Sequence, residues 1–161
     1  MNNAIAPLPV FQADWVTDGT NTNRTTINAF PAFPADCVTG TPNVVVIESN
    51  EDSRYLWQVL LETKGFTVKT VDGIEALLLR EATQLVPDLI ILNIIFPDER
   101  SLQLLQQIYA DPLFCDVPII LTLSYNFPAF QLQALNAGAK AILVKPIEFD
   151  TLDRLLKHCL C

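Results

Sequence analysis

Positive charge is scarce in this sequence. Ten Lys and Arg stand against 18 Asp and Glu, a net charge of −8. A nucleic-acid surface needs clustered Lys and Arg to neutralise phosphates, so the balance argues against nucleic acid as a direct partner. Long apolar runs are also missing: none reaches the roughly 18 residues that a helical membrane span requires. Residues 1–10 carry no basic residue and no apolar core, so no secretory leader is read there. No membrane association is expected, and the expected location is cytoplasmic. Cysteines are few. Cys37, Cys115, Cys159 and Cys161 match no template of paired C-x₂-C units for zinc. Four separate thiols suit a reducing compartment. The alternative is a redox or metal pair at Cys159-Leu160-Cys161.

What is present is apolar. Half of the 161 residues are hydrophobic and only 17% are charged, enough for one compact domain with a real core. The composition breaks near residue 42. Residues 1–42 hold Pro7, Pro9, Pro31, Pro34 and Pro42, many Asn, Thr and Ala, and a single basic residue, Arg24. No helical or strand period is sustained there, so 1–42 is read as a disordered or loosely packed extension. Phe11, Trp15, Phe30 and Phe33 are its exceptions: either docking points or rings that fold back on the domain. Asn23-Arg24-Thr25 fits a glycosylation sequon that means nothing without a leader.

Residues 43–161 read as the domain. Five short apolar, largely β-branched runs, at 43–48, 66–71, 89–93, 118–122 and 141–145, predict buried strands. Helices are expected between and after them. Asn50 caps the first, with Glu51 and Asp52 in its positive first turn. Leu56, Val59 and Leu60 are its expected inward stripe, and Gly65 its stop. Ile74, Leu77 and Leu78 face inward from the second. Ser101 is the expected cap of the third, which carries Leu102, Leu105 and Ile108. The fourth runs over 128–136 and stops at Gly138. The fifth starts near Phe149 with Leu152, Leu155, Leu156 and Cys159 on one stripe. Alternating strands and helices without an internal repeat predict an α/β fold: a doubly wound parallel sheet with helices on both faces. In such sheets function sits at the carboxyl ends of the strands.

Four strands end in polar residues: Glu48-Ser49, Asn93, Thr122 and Lys145-Pro146. Strand ends are also where polarity returns in any sheet. Here an acid, an amide, a hydroxyl and an ammonium are expected to converge on one edge. A flavin or other phosphate-bearing cofactor would need a Gly-, Ser- and Thr-rich loop after the first strand. Ser49-Asn50-Glu51-Asp52 is acidic, has no glycine, and would repel a phosphate. No cofactor is expected.

Residues 43–161 resemble the receiver domain of two-component response regulators. The motifs that carry the resemblance are Val45-Val46-Ile47-Glu48-Ser49, residues 87–97 around Asn93, Leu121-Thr122, residues 134–139, and Leu143-Val144-Lys145-Pro146. The resemblance implies a flavodoxin-like (βα)5 fold with strand order 2-1-3-4-5. It also implies a phosphoacceptor site built from Glu48, Ser49, Asn93, Thr122 and Lys145. That site departs from the family's pattern. The family's acceptor is an aspartate where Asn93 stands, and an amide cannot replace a nucleophilic carboxylate. The family's Mg²⁺ is held by an acidic pair and the acceptor, and here only Glu48 is anionic, so Mg²⁺ binding is expected to be lost or weak. Leu123 replaces a small residue beside Thr122. Ile142 stands at the switch position, where the family has a mobile aromatic. Arg100, in the loop of small and acidic residues, reads as solvated charge.

The retained Lys145 has Glu48 as its nearest available anion. An amide at position 93 can donate to Glu48 and accept from Lys145 at once. Lys145-Pro146 resembles a family peptide that is usually cis. The expected function is therefore a pseudo-receiver: a stand-alone interaction module in phosphorelay-type signalling, not an enzyme. No output domain is read, since the sequence ends eleven residues past Asp150. The alternative keeps switching through another modification or through partner binding. Deamidation of Asn93 is one such route, slowed by the bulky Ile94. The resemblance implies partners such as a histidine kinase or another regulator, or a second copy, at the fourth helix, fifth strand and fifth helix. Phe127, Phe130 and Ile142 are the residues expected there, on a monomer or homodimer.

Overall fold

In a computed structural model of the chain, residues 40–78 and 86–161 are described. The expected extension up to residue 39, with Phe11, Trp15, Phe30, Phe33 and Cys37, and the inward-facing side chains of Leu77 and Leu78 lie outside the described residues. The elements alternate throughout: β1 (Asn43–Ile47), α1 (Glu51–Thr63), β2 (Thr67–Val71), α2 (Ile74–Leu78), β3 (Leu89–Ile94), α3 (Glu99–Ala110), β4 (Ile119–Leu123), α4 (Pro128–Asn136), β5 (Ala141–Val144) and α5 (Phe149–Leu160). All strand pairs are parallel and the order is β2-β1-β3-β4-β5. This is the flavodoxin-like arrangement that the resemblance implies.

The sheet buries both faces, which is why its strands show little polar alternation. One face holds Val45, Ile90, Leu92, Ile119 and Leu121 against Ile74, Leu105, Ile108, Phe130 and Ala134 of α2, α3 and α4. The other holds Val44, Val46, Leu89, Ile91 and Leu143 against Trp57 and Leu61 of α1 and Leu152, Leu155 and Leu156 of α5. The two borders differ from this centre. β2 exposes Thr67 and Lys69, and β5 is only four residues long.

Three local expectations are corrected. α1 does not bury Leu56 and Val59: Leu56 is 67% exposed and Val59 is also exposed, while Leu60 is half-buried. The inward row is Trp57 and Leu61, one turn apart, continued by a buried Lys64. The bulky indole takes the inward position and rotates the aliphatic row outward. Lys64 forms an ion pair with Asp153 at 2.5 Å, which fastens α1 to α5.

Second, α3 is capped by Asp98, not Ser101. The Asp98 carboxylate accepts from the Ser101 backbone N–H at 3.0 Å and from the Ser101 hydroxyl at 3.2 Å. The Ser101 N–H is the main cause that holds the Asp98 carboxyl below its ordinary range. A charged cap also gains from the positive helix end, which Ser101 cannot.

Third, Phe130 is core. It is 5% exposed and packs with Leu105, Leu121 and Ala134, so it is not a partner residue. Phe130 and Ala134 are spaced by one turn on the inward side of α4. Phe127 precedes the helix in a non-helical conformation and is left 42% exposed. Ile142 is half-buried at the edge of the same cluster.

The cysteines divide in a way that four separate thiols do not describe. Cys115 and Cys159 are free, whereas Cys161 is disulfide-bonded, so Cys159 and Cys161 are not a pair. Burial pushes the Cys159 thiol up to about 11, which keeps it protonated and unreactive at neutral pH.

Three substitutions test this packing. Phe130→Asp should destabilise the domain by more than about 3 kcal/mol, while Phe127→Asp leaves the melting temperature nearly unchanged. Gly138 has φ +112°, and an added Cβ would meet the Tyr109 ring at 2.9 Å. In urea titrations Gly138→Ala should therefore lose about 1–2 kcal/mol.

Candidate functional site

The chain reverses its winding between β1 and β3, and the crevice of a doubly wound sheet opens at that point. Glu48 directly follows β1 and is anchored there by its N–H to the Val71 carbonyl. Asn93 is the penultimate residue of β3 and pairs in register with Thr122 of β4. Lys145 directly follows β5, with its N–H on the Leu123 carbonyl and a cis peptide to Pro146. The strand register alone thus places four polar side chains at one edge.

The side chains form one connected set. Asn93 donates from Nδ2 to Glu48 Oε1 at 3.1 Å. Asn93 Oδ1 accepts from Lys145 Nζ at 3.0 Å and from Thr122 Oγ1 at 2.9 Å. Lys145 Nζ also lies 3.4 Å from Glu48 Oε2. The Asn50 backbone N–H donates to Glu48 Oε1 at 3.0 Å, so Asn50 ties the α1 start to the site as well as capping the helix. Glu48 is 2% exposed and Thr122 fully buried, while Asn93 and Lys145 are half-buried. No buried side-chain polar atom among the described residues lacks a hydrogen-bond partner. The set is closed: a carboxylate, an amide, a hydroxyl and an ammonium satisfy one another.

Ser49 stands apart, exposed at the lip. Its carbonyl is used instead of its hydroxyl. Arg54 Nη1 donates to the Glu48 and Ser49 carbonyls, both at 2.8 Å, and pins the β1–α1 loop. Sequence reasoning missed Arg54, because backbone acceptors leave no mark in a residue pattern. Its spacing in the first turn of α1, just after the acidic loop, was the one available signal. Leu123 points to the core shared by α3 and α4 and is fully buried there. Arg100 is exposed at the start of α3.

A second feature surrounds this edge. Ile95 and Phe96 follow β3, and Tyr125 and Phe127 follow β4; all four are exposed, Phe96 at 73%. The Tyr125 and Phe127 rings meet edge to face with centroids 6.2 Å apart. Surface aromatics in contact are favoured anchors for binding.

Fold and site together define a doubly wound parallel α/β domain with a polar cluster at its switch point, in the class of signalling receivers. The sequence pattern of the response regulator receiver domain matches residues 44–157, and the chain belongs to that family. It is similar to the polar-differentiation response regulator DivK of Brucella ovis, 28% identical over 121 residues, covering 74% of this chain and 97% of DivK. It is also similar to the two-component response regulator ORR8 of rice (Oryza sativa subsp. indica), 23% identical over 118 residues, covering 73% and 98%. Among solved structures, a response regulator from Thermotoga maritima shares 25% identity with a TM-score of 0.64, over 74% of this chain and 98% of that one. The chemotaxis protein CheY4 of Vibrio cholerae superposes with a TM-score of 0.65 at 20% identity, over 75% and 100%. None of the described helices is long and apolar enough to cross a membrane.

The closed set makes a stability prediction. Asn93→Asp removes the donor to Glu48 and sets a second carboxylate beside a buried one. Chemical denaturation should show a loss of about 1–3 kcal/mol, only partly offset by Lys145.

Proposed function

We propose that this receiver works as a protein-binding module held in one signalling state, without accepting a phosphoryl group. The observation that carries the reading is the Asn93 amide, bonded at once to Glu48, Lys145 and Thr122. The family's reaction needs a carboxylate oxygen there to attack phosphorus. An amide oxygen is uncharged and its nitrogen lone pair is delocalised, so Asn93 supplies no nucleophile.

The donor set also does not fit Mg²⁺. That ion takes anionic oxygens in a near-octahedral shell. Glu48 is the single carboxylate, and both its oxygens already accept from Lys145, Asn93 and Asn50. Ser49 and Asn93 are neutral. Among the described residues no group of three or more His, Cys, Asp or Glu is placed to hold a metal ion. The positive charge beside Glu48 is supplied by the Lys145 ammonium.

A switch further needs an element with two positions for a signal to bias. Ile142 has no ring to swing and no hydroxyl to bond. What remains is a rigid scaffold in two-component-type signalling, read by a regulator, a histidine kinase or a second copy. The binding surface is the α4–β5–α5 side with its rim at Tyr125 and Phe127, Phe130 being removed from it by burial. The acidic net charge leaves nucleic acid out.

Incubation with acetyl phosphate and Mg²⁺, read by intact mass, should give no 80 Da adduct; a base-labile adduct overturns the reading. In calorimetry the wild type should show no saturable Mg²⁺ site below millimolar. The double variant Ser49→Asp/Asn93→Asp should gain one, and its melting temperature should rise with Mg²⁺ while that of the wild type stays flat.

A further inference from the structure

β3 and β4 are neighbours in the sheet, and Ile94 and Leu123 are their last paired residues. The loops that leave them carry Ile95 and Phe96 on one side and Tyr125 and Phe127 on the other, all exposed, Phe96 at 73% and Tyr125 at 69%. The backbone beneath these side chains is fixed. The Phe96 carbonyl accepts from the Asp98 N–H and from the Ser101 hydroxyl. The Phe127 carbonyl accepts from the Gln131 N–H at 2.9 Å, and Gln131 Nε2 donates to Asn126 Oδ1 at 2.8 Å. The Tyr125 ring rests edge to face on Phe127. Rings carried on a fixed backbone lose little freedom when a partner covers them.

The charge beside this rim has one sign. Asp98 and Glu99 lie two and three residues after Phe96, and both are exposed. Other loops at the same end add exposed Glu51 and Asp52 after β1, Asp72 after β2 and Glu148 after β5. The Lys145 and Arg54 heads are engaged in the hydrogen bonds described above, which leaves Arg100 as the exposed base among the described residues of these loops. The β4–α4 side is neutral, since residues 117–139 carry no charge. The rings therefore stand between an acidic arc and an uncharged helix.

Taking this receiver as a protein-binding module, we propose that the rim receives a short partner segment that combines arginine or lysine with apolar side chains. Its apolar groups cover Phe96, Tyr125 and Phe127, and its cations meet Asp98 and Glu99. The charge selects this occupant. Exposed carboxylates repel phosphate, and with it nucleic acid and anionic lipid. A two-fold contact between copies through this end would set each acidic arc against its own image. A guanidinium suits both parts of the rim at once, pairing with a carboxylate along its edge and lying over a ring with its face.

The test is fluorescence anisotropy on the full chain with a labelled dodecapeptide of alternating arginine and leucine. Phe96→Ala should weaken binding about ten-fold, the effect of one interface anchor. Glu99→Lys should weaken it about three-fold, whereas Asp116→Lys should leave it unchanged: this is the same charge change at an exposed position before β4, at the far end of the sheet. All three positions are exposed, so melting temperatures should move little. Equal weakening by Glu99→Lys and Asp116→Lys reduces the contact to net charge and overturns the proposal. So does equal binding of a control peptide with glutamate in place of arginine, or no binding of the arginine peptide. A dimer in sedimentation equilibrium that Phe96→Ala dissociates assigns the rim to a second copy and overturns it too. None of these results bears on the loss of phosphotransfer, which a phosphoryl adduct alone would refute.

Discussion

Glu48 is a carboxylate almost closed to water. A charge taken that far from solvent must be met by donors and an opposite charge, or the fold around it fails. Three groups meet it here: the Lys145 ammonium, the Asn93 amide and the Asn50 backbone N–H. Each comes from a different segment, so compensating one carboxylate ties the ends of β3 and β5 and the start of α1 to the end of β1. Thr122 and Arg54 extend the same arrangement, one to β4 and one across the loop backbone. The polar edge of the sheet is therefore held by the mutual satisfaction of these side chains.

The Asn93 side chain is what allows this. Its two ends have opposite hydrogen-bonding character, and it sits between an anion and a cation with each end turned to the right neighbour. Side-chain amide orientation follows from the partners in such a setting, and here both neighbours agree. A carboxylate in the same place would accept from Lys145 and Thr122 but would face Glu48 with like charge.

Much of the fold was legible because the signals were redundant. Val44-Val45-Val46-Ile47 and Leu89-Ile90-Ile91-Leu92 are β-branched or aliphatic without interruption and short, which suits a strand covered on both faces. Asn50 before Glu51 and Asp52, and Gly65 after Lys64, marked the limits of α1 on two independent grounds each. The facing of helices was less legible. In α1 three aliphatic residues suggested a stripe, yet Trp57 holds the inward position and Lys64 is buried by pairing with Asp153, which reads in sequence as a solvent charge. At α4 two phenylalanines three residues apart looked alike, and only the non-helical backbone at Phe127 separates the outward ring from the inward one. The hydrogen-bonded set at Asn93 followed from donor and acceptor chemistry once the strand ends were aligned. Arg54 did not, since it binds main-chain oxygens. The cysteine pattern was silent on which thiol is bonded, because connectivity is a property of space and not of spacing.

The unlike borders of the sheet bear on solubility. A chain that is half hydrophobic, with strands buried on both faces, carries segments suited to stacking against other chains when they are uncovered. Free strand borders are where such growth begins. On one border Lys69 projects between Thr67 and Val71, and a neighbouring strand could pair there only by crowding that ammonium. On the other, four residues of β5 offer too short a ladder for a lasting register. The aggregation-prone runs of β3 and β4 are kept in the middle, where every ladder position is already taken.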